Sequence, residues 1–111
     1  MGAFRVGDVV IVNFPNSDLT PSKVRPSLVV ASLSGADCIL CAITSQSPHP
    51  LAPHVVITDG DFETGTLNVN PSYIRISKLF TADSRMIRKS VGNIRSEVMA
   101  RVLHGIRALF Q

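Results

Sequence analysis

Apolar residues come in short runs along this chain, separated by turn-forming polar residues. After the turn at Gly7-Asp8, "VVIVNF" predicts a first strand over 9–14. "PNSDLTPSK" reads as a loop, "PSLVVASL" as a second strand and "SGAD" as a tight turn. "CILCAITSQ" predicts a third strand, "SPHPLAP" a proline-rich loop, and "HVVIT" a fourth strand ahead of the polar turn "DGDFETG". "TLNVN" and "SYIRISKLF" read as one long or broken strand with Pro71 at the break, and "MIRKSVG" as a further short strand. The period then changes. In "SEVMARVLHGIRALF", Val98, Val102, Ile106 and Leu109 share a face that excludes Arg101 and Arg107, so a helix is predicted, starting at Ser96-Glu97.

Strands one to three are apolar on both faces, with Val9 and Ile11 alternating against Val10 and Val12. Such strands need cover on both sides, from a helix or from a second subunit. The pattern predicts a mainly β (α+β) fold: a small, strongly curved antiparallel sheet or barrel with one C-terminal helix. Residues 1–111 show no repeat and no linker, so one domain is expected. Cys38 and Cys41 stand three apart and on a strand point to opposite faces, as small core residues kept reduced rather than metal ligands.

Composition narrows the function classes only a little. Hydrophobic residues make up 45% of the chain, which argues against disorder. No apolar run is long enough to cross a bilayer, and Asp8 arrives too early for a secretory signal, so a cytoplasmic protein is expected. The net charge of +3 favours a polyanionic partner, nucleic acid ahead of membrane. Of eleven Lys and Arg, only Arg5, Lys23 and Arg25 precede residue 75, so the early cations stand out.

Three polar clusters each fall where an apolar strand ends. In Ser22-Lys23-Val24-Arg25, Pro26 pushes Arg25 towards an extended conformation, so its guanidinium is held by stiff backbone. Thr44-Ser45-Gln46 closes the third strand. In "YIRISK", alternation sets Tyr73, Arg75 and Ser77 on one face against Ile74 and Ile76 on the other. Arginines and hydroxyls at strand ends suit a phosphodiester, because the guanidinium fork matches phosphate oxygens and stays charged. Gln46 can pair with a base edge. The alternating acids of "DGDFE" read as a polar turn rather than a cation site.

"GDVVIVNFP", "RPSLVV", "AITSQ" and "PSYIRISKLFT", in that order and near those spacings, resemble the MazF/PemK family of type II toxin–antitoxin modules. The resemblance runs from about Val6 through the C-terminal helix. It implies an SH3-like or CcdB-like barrel, a homodimer, and a metal-independent, cofactor-free ribonuclease that cuts single-stranded RNA at short motifs. It also implies a cognate antitoxin. By motif, Arg25, Thr44 and Arg75 match catalytic positions, and Lys23, Ser45, Gln46, Ser77 and Lys78 are expected to bind RNA. Ser77 stands where some members carry an aspartate base, and "LTPSK" departs from the family's usual loop before the R-P step.

The expected reaction is attack by the RNA's own 2′-hydroxyl, giving a 2′,3′-cyclic phosphate. Arg25 would stabilise the charged transition state, Thr44 would hold a non-bridging oxygen, and one such donor is worth roughly 3–4 kcal/mol. His49 and His54 have the intrinsic range for proton transfer. Two other readings stay open: a CcdB-like toxin that acts by binding DNA gyrase, and a catalytically impaired toxin that binds RNA or antitoxin without cutting.

Overall fold

β-Branched and aromatic residues on these runs satisfy their backbone groups by pairing with one another. A computed structural model describes residues 4–14 and 23–111, apart from the side chains of residues 14 and 23. Of the loop expected over Pro15–Lys23, residues 15–22 lie outside the described residues and Lys23 opens β2. The strands are β1 (Asp8–Phe14), β2 (Lys23–Ser32), β3 (Asp37–Thr44), β4 (His54–Ile57), β5 (Phe62–Gly65), β6 (Ser72–Asp83) and β7 (Ile87–Ile94), and α1 (Ser96–Ala108) closes the order. They form one sheet in the order β4-β6-β3-β2-β1-β7-β5, antiparallel throughout. The sheet curls into a half-barrel with one C-terminal helix, as the apolar pattern predicted.

Two clusters of buried residues explain why the central strands are apolar on both faces. Val9, Leu28, Cys41, Ile43, Ile74 and Ile76 pack on one face with Val98, Met99 and Val102 of α1. Val10, Val12, Val29, Cys38, Leu40, Ala82 and Ile87 form the other. The two cysteines fall in different clusters, and both are free and buried. Ala82 and Ile87, the ladder neighbours of Cys38 and Val12 on β6 and β7, extend the second cluster across the sheet.

Several boundaries differ from the sequence reading. β2 starts at Lys23, so Arg25 already lies within the ladder, opposite Val12. Pro26 is tolerated there because pairing with β3 starts only at Ser27, which leaves Pro26 with a ladder partner on one side alone. "TLNVN" is not a strand, whereas "FETG", read as a turn, is β5. Its strand character comes from β7, since Phe62 pairs with Ile94 and Thr64 with Asn93. α1 starts at Ser96 as expected, with Arg95 before it as the N-cap residue. Leu109 lies past the last turn and is 40% exposed, so the buried stripe ends earlier than its spacing implied. Among the described residues no helix is long and apolar enough to cross a membrane.

Candidate functional site

Antiparallel pairing brings the start of β2, the end of β3 and the start of β6 to one end of the sheet. A cavity of about 720 Å³ opens there. Arg25, Thr44, Ser45, Gln46, Ser72 and Arg75 give it a polar lining, and Val24, Pro26, Ile43, Leu67 and Val69 complete its walls. Three polar clusters far apart in the sequence therefore meet in one place.

Each polar group is held by local structure. Thr44 Oγ1 accepts the backbone N–H of Gln46 at 3.1 Å, which fixes the rotamer and leaves the hydroxyl proton free to donate outward. Arg75 is carried on β6 between Ile74 and Ile76, both buried in the core. The thiol of Cys41 donates to the Arg75 carbonyl at 2.9 Å. Ser72 Oγ donates to the Val69 carbonyl at 2.9 Å and so ties the wall segment to β6.

The cavity is electropositive. Among the described residues no carboxylate lines it, and neither Arg25 nor Arg75 is in an ion pair. Two such guanidinium groups can take a phosphate, with Thr44 as a neutral third donor. The described residues contain no group of three or more His, Cys, Asp or Glu placed to hold a metal ion. In the "DGDFE" segment, Asp61 accepts the N–H of Thr58, and Asp59 accepts the hydroxyl of Thr66. Those carboxylates hold a turn.

Not every expected residue reaches the cavity. Ser77 and Lys78 are exposed further along β6 and do not line it. The side chain of Lys23 lies outside the described residues. His49 and His54 are also absent from the walls. His49 Nδ1 accepts the Leu51 N–H at 3.1 Å, while His54 pairs with Arg75 across β4 and β6 and packs edge-on against Tyr73. Val24, Leu67, Val69 and Ser72 line the cavity without having been expected. The spacing of Leu67 and Val69 predicts a strand, and nothing in it marks them as a wall.

Residues 5–110 match the family model of the PemK-like, MazF-like toxin of type II toxin–antitoxin systems. Among solved structures, the crystal structure of MazE–MazF (form III) from Deinococcus radiodurans superposes with a TM-score of 0.75 at 20% identity, over 95% of this chain and 94% of that one. An endoribonuclease in complex with its cognate antitoxin from a mycobacterial species gives 0.68 at 18% identity, over 99% and 95%. The Mycobacterium tuberculosis toxin MazF-mt6 gives 0.68 at 16% identity, over 93% and 95%. These likenesses show a shared fold. No curated protein matches the chain.

Proposed function

The chain belongs to the PemK-like, MazF-like toxin family of type II toxin–antitoxin systems, and on that premise we propose that it cuts single-stranded RNA at the cavity where Arg25, Thr44 and Arg75 converge. That convergence of an oriented hydroxyl with two guanidinium groups that have no ion pair among the described residues is the observation that carries the reading.

The scissile phosphate sits between the three donors. The ribose 2′-hydroxyl gives up its proton as its oxygen attacks phosphorus. The bond to the 5′-oxygen breaks and that oxygen takes up a proton in turn, and the products are a 2′,3′-cyclic phosphate and a 5′-hydroxyl end. Negative charge builds on the non-bridging oxygens as the fifth bond forms. Arg25 faces that charge as a planar fork, and Thr44 donates its hydroxyl proton to one oxygen. Each such fixed donor supports roughly 10²–10³ in rate. Arg75 supplies the second positive charge. Ser45 and Gln46 offer donors and acceptors to a flanking base, which is how a short sequence motif would be read.

The reaction runs on protein groups alone and needs no cofactor or metal. In the cell the chain works in the cytoplasm, as a homodimer, with RNA as substrate and a cognate antitoxin as its inhibitor. Solved complexes of similar toxins with their antitoxins support the last point.

The test is cleavage of a mixed-sequence RNA in EDTA by wild type, Arg25→Ala and Thr44→Ala, with the new ends mapped. Cuts at one short motif, bearing cyclic-phosphate ends and lost in both variants, are expected. A folded wild type that binds its antitoxin but cuts nothing would overturn the nuclease and favour a binding toxin. Activity abolished by EDTA and restored by magnesium would overturn the metal-free chemistry.

A further inference from the structure

The segment after β5 separates two concavities rather than closing one. Val24 and Leu67, which wall the cavity described above, also wall a second of about 480 Å³ beside it. Ile11 and Val91 join those two residues as its apolar lining, and Thr66, Asn68, Arg88 and Lys89 make its polar lining.

Resting on the reading of the first cavity as an RNA-cleaving site, we propose that this second concavity is a nucleotide subsite, taking the base and phosphate next to those held by Arg25 and Thr44. Three observations carry it. The concavities adjoin across shared walls, Val24 and Leu67, and Val24 is 47% exposed, an apolar surface on which a base can stack. Arg88 and Lys89 are exposed, and neither is in an ion pair among the described residues, so both charges are available to a phosphate. Lys89 pairs with Ile11 across β1 and β7, which places a cation beside that apolar lining residue.

Asn68 adds a device for reading the base. Its φ of 60° lies in the left-handed region, where asparagine is tolerated better than most residues. Its backbone N–H is bonded to Thr66 Oγ1 at 2.9 Å, which fixes the residue and leaves the side-chain amide to the concavity. An acidic peptide would satisfy the two cations equally well. It would have no use for apolar walls shared with the cleavage site, and that adjacency favours RNA.

The experiment compares two RNAs, the shortest oligonucleotide that wild type cuts and the same sequence extended by several nucleotides at both ends. Wild type is expected to favour the extended RNA through a lower KM. In Arg88→Ala/Lys89→Ala that advantage is expected to shrink roughly tenfold, and the slope of log KM against log salt to fall by about 2, one for each lost phosphate contact. Asn68→Gly, which keeps the backbone conformation accessible, is expected to relax base preference at one position beside the cut while the salt slope stays the same. A wild-type advantage retained in full by the double variant would overturn the subsite and leave the nuclease standing. Weakened binding of an acidic antitoxin peptide, with the RNA length effect intact, would also overturn it, in favour of a protein ligand. Failure of wild type to cut either RNA would remove the nuclease and the subsite together.

Discussion

The thiol of Cys41 donates to the carbonyl of Arg75 across 2.9 Å, at the point where the β3–β6 ladder slips between Cys41 and Ile43. A slipped ladder leaves a main-chain carbonyl without its regular partner, and the thiol takes it. Arg75 is thereby held by a core residue that does not itself line the cavity. Cys41→Ala is expected to cost about 1–2 kcal/mol in stability, from the lost sulfur and the unpaired carbonyl. RNA cleavage is expected to fall several-fold through kcat. Chemical denaturation beside single-turnover cleavage separates the two, and unchanged kcat would show that the thiol does not position Arg75.

Burial pushes the Cys41 thiol up to about 12 from its ordinary 9.0, and Cys38 shifts the same way, mainly by burial. The folded chain keeps these protons where the unfolded chain releases them. Stability is therefore full below pH 9 and falls as pH rises from there towards 12. Denaturant midpoints measured at pH 8 and 10.5 check the sign. Both thiols are expected to resist alkylation at pH 8 until the protein unfolds.

Thr44 is oriented by the Gln46 N–H, so the hydroxyl, not the bulk, is what the site uses. Thr44→Val keeps the shape and is expected to lose roughly 10²–10³ in kcat. Thr44→Ser is expected to stay within about tenfold of wild type, since a preorganised donor remains. Equal loss in both variants would assign the residue a packing role.

Ser27 is fully buried, with Val10 and Ala42 opposite it on the neighbouring strands, and its Oγ has no hydrogen-bond partner. Removing an unsatisfied buried hydroxyl relieves its desolvation cost. Ser27→Ala is expected to stabilise the fold by about 1 kcal/mol. A destabilised variant would mean that the hydroxyl finds a partner in solution.

Gly65 and Gly35 both have positive φ, +73° and +82°, but differ in surroundings. A Cβ at Gly65 would overlap the Val91 carbonyl oxygen, whereas one at Gly35 would meet open space. Gly65→Ala is expected to cost roughly 3 kcal/mol or more and Gly35→Ala about 1 kcal/mol, read from thermal midpoints. The first change should also disturb RNA cleavage, because Leu67 and Val69 lie just beyond Gly65 in the cavity wall.

Periodicity marked out β1, β3, β4 and α1 nearly to their ends, and it put Cys38 and Cys41 on opposite faces, where the two core clusters hold them. It failed for the stretch from Phe62 to Asn70. "FETG" holds one buried residue and becomes a strand only because β7 is there to pair with it. Leu67 is apolar because it packs beside the core, and a partly buried wall residue has the same chemistry as a strand residue.

The residues that carry chemistry were legible one by one: Arg25 by the proline behind it, Thr44 by the end of its strand, Arg75 by the isoleucines on either side. Local sequence determines such features because φ restriction and alternation act over a few residues. Their meeting is a different kind of fact. It depends on β2, β3 and β6 pairing antiparallel with their ends in register, and on a wall brought from the far side of β5. Burial of the two core faces decides that arrangement, and it sums over the whole chain. The sequence by itself therefore determined which donors this protein has, and only the tertiary structure decided that Arg25, Thr44 and Arg75 share one cavity while Ser77 and Lys78 stay outside it.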